Sequence, residues 1–250
     1  MVPVINKWNK INVSLFPATS CTAIVPFNGP LNSTIGISRI SKFLRNITYI
    51  NTRCLDIFVG ILLGDAYFKL GKNNTNVRIG FKQSLINFPF MWTVFTEISH
   101  YCSSLPRYEV ATLKSGKGVK KYSLLVLETR TYPVFSELYK LFIVNGTKTI
   151  SPELFNYLSP SALAYWIMSD GVSNQYGLTI CTDSFSYSEV VCLLNILKIR
   201  YDLNCSIHSY SGRPRLYIKA DSMPKLRALV EPYLITFSAY KLQKGKRFKL

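Results

Sequence analysis

Two aspartates stand where a carboxylate is costly. Asp65 follows Phe58, Ile61 and Leu62 at helical offsets, and Asp170 follows Leu163, Trp166 and Ile167 at the same offsets. Apolar residues at i, i+3 and i+4 share one helix face, so each carboxylate ends a stripe directed at the interior. The C-terminal end of a helix is its negative pole, and an acid there costs roughly 0.3–1 kcal/mol when exposed and more when half-buried. A divalent cation offsets that cost. Mg²⁺ takes a few carboxylate oxygens and keeps several waters, so it needs no protein cage. Held between a phosphate and a water, such an ion lowers the pKa of the attacking water and neutralises the leaving oxygen. Gly60 and Gly64 in one helix, and Ala162, Ala164 and Ser169 in the other, are small enough to let two helices approach closely. Close approach would set Asp65 beside Asp170.

The elements that carry the aspartates repeat. Two apolar segments, 55–70 and 158–172, read as helices, with the acids 105 residues apart. After Asp65 come the turn Gly71-Lys72-Asn73-Asn74, a strand-like run 77–81, the pair Gln83-Ser84 and a helix-like stretch 88–101. After Asp170 come Gly171, the turn Ser173-Asn174-Gln175, a strand-like run 177–182, the pair Asp183-Ser184 and a helix-like stretch 187–201. Strand-like alternation with basic turns follows in both: strands 108–113 and 122–129 about the turn 114–121, then strands 205–210 and 216–220 about the turn 211–215. A helix headed by proline, Pro133 or Pro224, closes each unit. The pattern predicts an α+β chain made by duplication of an αββαββα unit, with a first half over 53–147 and a second over 148–250.

Residues 1–52 differ from the rest. They contain no Asp or Glu, five basic residues, and prolines at 3, 17, 26 and 30. That composition suits a transit peptide, a disordered leader or an arm lying along the folded body. Over the whole chain, 48% hydrophobic residues exclude a wholly disordered protein, and 30 Lys and Arg against 13 Asp and Glu give a net charge of +17. A field of that sign suits a polyanion. The longest strongly apolar run, 57–64, is far shorter than the ~20 residues that a bilayer requires, so no membrane partner is expected. Six cysteines without a C-x-x-C pair read as free thiols, and two histidines (His100 and His208, both expected on surfaces) supply no His-based metal cluster.

The segment Phe58-Val59-Gly60-Ile61-Leu62-Leu63-Gly64-Asp65-Ala66 resembles the signature of the LAGLIDADG homing endonucleases, and so does Leu163-Ala164-Tyr165-Trp166-Ile167-Met168-Ser169-Asp170-Gly171. Two copies in one chain are similar to the single-chain, pseudo-symmetric members of that family, and Leu216–Pro224 is similar to its second half. The resemblance implies two antiparallel sheets forming a DNA-binding saddle, joined by packing of the two motif helices. It implies a monomeric, Mg²⁺- or Mn²⁺-dependent hydrolase that cuts both strands of a double-stranded DNA target across the minor groove and leaves short 3′ overhangs. The alternative partner is the protein's own intron RNA, with the chain acting as a group I intron maturase. The implied location is the mitochondrion.

The resemblance also implies roles. Asp65 and Asp170 would bind metal, with the carbonyls of Gly64 and Ser169. Gln83 would order the nucleophilic water, and Lys219 would stand near the scissile phosphate. The chain departs from the pattern at Tyr165 and Ala66, at Asp183, which is matched to Gln83, and at Glu128, which is matched to Lys219. The last two departures make unequal cutting of the two strands an expectation. Candidate DNA contacts are Lys69, Lys72, Asn74, Arg78, Lys82, Lys117 and Lys120 in the first half, and Asn174, Gln175, Arg213 and Arg215 in the second. Lysines would meet phosphates, while Asn, Gln and Arg would read base edges. The tail 241–249 would be a solvated run or a phosphate contact.

Overall fold

The computed structural model describes residues 34–37, 39–71, 76–115 and 118–243. Lys72, Asn74 and Lys117 lie outside the described residues, as do most of the leader and residues 244–250. The elements in chain order are α1 (Lys42–Ile47), α2 (Thr52–Leu63), β1 (Ala66–Leu70), β2 (Val77–Ser84), α3 (Phe88–Ile98), β3 (Arg107–Ser115), β4 (Gly118–Glu128), α4 (Phe135–Phe142), β5 (Ile143–Val144) and β6 (Thr147–Lys148). Then follow α5 (Leu154–Tyr157), α6 (Pro160–Asp170), β7 (Gly171–Ser173), β8 (Leu178–Ile180), α7 (Tyr187–Tyr201), β9 (Cys205–Tyr210), β10 (Arg213–Ile218) and α8 (Met223–Val230), with 3₁₀ turns between and after them.

The duplication is visible in the sheets. One has the order β1-β2-β4-β3 and the other β7-β8-β10-β9, all pairs antiparallel. The same devices fix both motif helices. Asn51 caps α2 by accepting from the Cys54 N–H, and Ser159 caps α6 by accepting from the Ala162 N–H. The Tyr101 hydroxyl donates to the Tyr49 carbonyl just before α2, and the Tyr201 hydroxyl donates to the Leu158 carbonyl just before α6. In the first half, Phe58, Tyr101, Tyr132 and Phe135 form a cluster at 5.2–5.9 Å, four of its five contacts edge-on, a preferred aromatic geometry.

Three local expectations shift. The apolar segment from Leu55 is a helix only to Leu63, and 66–70 turn into β1; the second helix likewise gives way to β7 after Asp170. Periodicity cannot separate a buried strand from the helix it follows. The turn expected at 211–215 narrows to Ser211 and Gly212, with φ of 50° and 77°. Two successive positive φ values make the tight hairpin whose twist matches its strands, and this frees Arg213 and Arg215 to lie in β10. The described part of the leader is an arm on the first half. The Thr34 hydroxyl donates to the carbonyls of His100 and Cys102 at 2.9 and 2.5 Å, and the Arg130 guanidinium donates to the carbonyls of Thr34 and Ile37.

Candidate active site

The two motif helices cross at glycine. A Cβ added to Gly60 would come within 3.0 Å of the Ala162 carbonyl and the Tyr165 Cβ, and one added to Gly64 would come within 3.0 Å of the Ser169 side chain. Tyr165, which departs from the small residue of the signature, is therefore accommodated by Gly60 opposite it. Its ring is buried and lies 6.3 Å from that of Phe90.

This crossing brings the acids together. The Ser169 hydroxyl donates to Asp65 Oδ2 at 2.7 Å and accepts from the Asp65 N–H at 3.1 Å, so the second motif holds the first motif's aspartate. Gln83, on the helix side of β2, donates its amide to Asp65 Oδ2 at 2.6 Å; Asn87 donates to Gln83 Oε1 at 2.8 Å and fixes the amide's orientation. Asp170 is pushed up to about 7, first by burial and then by the nearby Asp65 charge, while Lys148 and Lys241 pull it back. Burial and the facing carboxylate outweigh the two lysines, so Asp170 binds a proton more readily than an exposed aspartate.

Two lysines that the sequence reading did not single out as catalytic complete the centre. Asn145 and Gly146, with φ of 50° and 76°, turn the β5–β6 hairpin and deliver Lys148, whose Nζ donates to the Gly64 carbonyl at 3.1 Å. In the second half the 3₁₀ turn Thr236–Leu242 delivers Lys241, whose Nζ donates to the carbonyls of Ile167, Met168 and Ser169 at 3.2, 2.5 and 3.2 Å. Burial brings both ammonium groups down to about 8, against the opposing pull of Asp170 and Asp65. The two lysines stand at different distances in sequence from their aspartates, which conceals their equivalence. Their only sequence signals are an Asn-Gly turn before one and a basic tail after the other. The boundary expected at 147/148 falls inside the β5–β6 hairpin, since Lys148 pairs with Ile143.

Lys219 is not at this centre. It is exposed beyond the end of β10, its N–H donates to the Asn204 carbonyl, and Asp221 is a neighbouring charge. Nor does it face Glu128: Gly80 pairs with Glu128 and Thr179 with Tyr217, so Tyr217 holds the position equivalent to Glu128. Asp183 also lies elsewhere than matched. Ala66 pairs with Phe81 and Gly171 with Ile180, which puts Thr182, two residues on, at the register of Gln83. Thr182 is fully buried and donates its hydroxyl to the Pro214 carbonyl at 2.7 Å. Asp183 accepts two hydrogen bonds from Arg215, at 2.8 and 2.6 Å, and Arg215 holds its carboxyl below the usual range.

On the sheet faces turned away from the helices, charged residues gather. Lys69, Arg78 and Arg107 surround Glu128 at 3.4–3.5 Å, and Arg107 and Lys82 flank Glu109 at 2.9 and 3.7 Å. Lys120, Gln175 and Arg213 are exposed, and Asn174 donates to Thr179 Oγ1 at 2.5 Å. His208 stacks on Tyr217 at 4.5 Å on the exposed surface, as expected, but His100 is largely buried, with Tyr101 at 4.0 Å and Cys54 Sγ at 3.9 Å.

The donor set suits a hard divalent cation. Two carboxylates from different halves and the carbonyls of Gly64 and Ser169 offer oxygen only, and among the described residues no cluster of three or more His, Cys, Asp or Glu competes. A doubled αββ frame with two four-stranded antiparallel sheets and paired acids at the end of its packed motif helices defines a pseudo-symmetric, acid-centred protein. The chain belongs to the LAGLIDADG DNA endonuclease family, whose model matches residues 55–226. It is 31% identical over 193 residues to the cytochrome b mRNA maturase bI2 of Debaryomyces hansenii, covering 75% of this chain and 72% of that one. It is 30% identical over 199 residues to the probable intron-encoded endonuclease 1 of Wickerhamomyces canadensis, covering 75% and 82%. The structure of the homing endonuclease I-WcaI bound to its DNA recognition sequence superposes with a TM-score of 0.72 at 29% identity, covering 80% of this chain and 89% of that one.

Proposed function

We propose that the protein is a site-specific endonuclease that hydrolyses one phosphodiester in each strand of a double-stranded DNA target, as a monomer using Mg²⁺ or Mn²⁺. The observation that carries this reading is the convergence of Asp65 and Asp170 at one end of two packed helices, each followed by a four-stranded antiparallel sheet. The cation supplies a more acidic water and charge neutralisation at the leaving oxygen. Asp65, Asp170 and the carbonyls of Gly64 and Ser169 hold it. Gln83, steadied by Asn87, positions a water, and Lys148 and Lys241 neutralise charge near the scissile phosphates. Water is the nucleophile, since the Ser169 hydroxyl at the centre is spent on the Asp65 carboxylate and N–H.

Lys69, Arg78, Lys82, Lys120, Asn174, Gln175, Arg213 and Arg215 line the proposed DNA faces; Lys72, Asn74 and Lys117, outside the described residues, are candidates from the sequence alone. Binding should weaken steeply with salt, because each neutralised phosphate releases counterions. No helix among the described residues is long and apolar enough to cross a membrane. The cytochrome b maturase relative suits a mitochondrial location.

That same relative favours a second reading, a maturase that binds its own intron RNA, alone or in addition. Purified protein with intronless insertion-site DNA and Mg²⁺ separates the two. Asp65→Asn and Asp170→Asn should each lower cleavage by about three orders of magnitude while DNA binding persists. Cleavage that survives both substitutions overturns the metal centre, and splicing that survives both supports the maturase role.

A further inference from the structure

The second sheet carries a side-chain arrangement that the cleavage chemistry does not use. Arg215 projects from the face of β10 away from the helices, since its neighbours Pro214 and Leu216 are buried in the other direction. Asp183 holds it along one edge, accepting from Nε at 2.8 Å and from Nη2 at 2.6 Å. Tyr210 covers one face of the guanidinium, with the ring centre 4.0 Å from its carbon. The side chains of Arg215 and Asp183 are only 24% and 28% exposed, so the fork is held before any ligand arrives.

A guanidinium gripped along its Nε–Nη2 edge has a second edge free. That edge presents one N–H from Nη1 and one from Nη2, parallel and about as far apart as two adjacent acceptors. In the major groove, guanine alone presents two adjacent acceptors, O6 and N7; adenine offers an acceptor beside a donor. A phosphate would accept the same fork, but it requires neither the fixed plane nor the buttress. Among the described residues the first half has nothing alike. Its equivalent position by sheet register is the buried Val126, and its cations share Glu128 at 3.4–3.5 Å rather than being clamped one to one.

We propose that Arg215, buttressed by Asp183 and Tyr210, is a specificity-determining residue that reads one guanine in the half-site under the second half, with no counterpart in the other half-site. This rests on the DNA-endonuclease reading. The guanine lies at the inner end of that half-site, beside the cleavage centre, because Asp183 is two residues from Cys181, whose N–H donates to the Asp170 carbonyl.

The test is selection of duplexes from a randomised library in EDTA, so that cutting does not intervene. Wild type should enrich a motif with one invariant guanine at the inner end of one half. Arg215→Lys, which keeps the charge, should lose preference at that position alone by roughly 5- to 150-fold. Asp183→Asn should loosen the same position, and Arg213→Ala should weaken all sequences alike. Independently of any variant's folding, 7-deazaguanine at that position should weaken wild-type binding by a similar factor, while inosine, which keeps both acceptors, should bind like guanine. A uniform loss across sequences in Arg215→Lys, with 7-deazaguanine tolerated, would make Arg215 a phosphate contact and overturn the assignment. If wild type enriches no sequence at all, the endonuclease reading falls and the guanine assignment falls with it.

Discussion

The two halves share a frame and differ in how each supports its side of the centre. In the first half Asp65 receives Gln83 and Ser169, and Lys148 makes one carbonyl contact, leaving donors free. In the second half the residue at Gln83's register, Thr182, spends its hydroxyl on the Pro214 carbonyl, and Lys241 is bound to three carbonyls at the end of α6. One half is arranged around a carboxylate and the other around a helix terminus. Duplication thus kept what folding requires (caps, tyrosine anchors, sheet order) and released the side chains near the centre to diverge. Unequal cutting of the two strands stays an expectation, and the structural difference that would produce it is Thr182 and Lys241 rather than a direct exchange of Gln83 for Asp183.

The lysines offer the largest test of that difference. Both Lys148→Met and Lys241→Met should depress cleavage strongly. Only Lys241→Met should also cost about 2–4 kcal/mol of stability, because it takes the ammonium donor from the Met168 and Ser169 carbonyls, whereas the Ile167 carbonyl keeps the Gly171 N–H. For a chain of this size that corresponds to a Tm lower by roughly 5–12 °C, readable by circular dichroism. A larger Tm drop for Lys148→Met would reverse the comparison.

The helix crossing comes next. Gly60 and Tyr165 occupy equivalent places in the two motifs and meet each other. Gly60→Ala should destabilise by about 1–3 kcal/mol through overpacking against Tyr165 and the Ala162 carbonyl. Combined with Tyr165→Gly, which removes the Cβ it meets, it should cost less than the sum of the single changes, by a coupling of roughly 0.5–3 kcal/mol. Additive losses in denaturant titrations would mean that the two side chains do not compete for one space.

A smaller effect separates the two supports. Gln83→Ala should slow cutting of one strand by about tenfold, the loss of one positioned hydrogen bond, and Asn87→Ala should slow the same strand by less. Thr182→Val should leave the strand ratio unchanged. Strand-resolved kinetics on end-labelled duplex measures both, and equal slowing of the two strands by Gln83→Ala would place the amide at a shared step.

The sequence carried the architecture because periodicity and turn chemistry repeat, and a repeated pattern reports on itself. It carried Asp65, Asp170 and Gln83 because each sits at a fixed offset within one unit. Lys148 and Lys241 escaped because they arrive on segments of unequal length, a short hairpin and a 3₁₀ turn, where spacing conveys nothing. Lys219 is matched by the family resemblance to a basic residue near the scissile phosphate, but Leu216 and Ile218 alternate inward, and the chain turns outward immediately after them. The place of Asp183 could not be read from its pairing with Ser184. Only the ladder register shows that the helix-side position belongs to Thr182 and that Asp183 points to the opposite face with Arg215.

The smallest contrast lies behind the sheets, where each half tethers its motif helix by a tyrosine. Before Tyr101 stands His100, and before Tyr201 stands Arg200, whose guanidinium donates to the Tyr201 hydroxyl at 3.1 Å and to the Phe155 carbonyl. Burial lowers His100 to about 4, against about 6.5 in an unfolded chain. Between those values the unfolded chain binds the extra proton and the folded chain does not. Stability contributed by the neutral imidazole is therefore intact near pH 7 and is lost as the pH falls towards 4. From pH 7 to pH 5.5 the loss amounts to about 1 kcal/mol. A guanidinium does not titrate in this range, so the tether at Tyr201 should be indifferent to the same change. Acid should loosen the first half before the second: amide exchange in 52–63 should rise at pH 5.5, after correction for intrinsic rates, while 160–170 stays protected. His100→Gln should flatten that response. Equal loosening of both helices, or a slope unchanged by His100→Gln, would trace the acid sensitivity to the shared centre instead of to this tether.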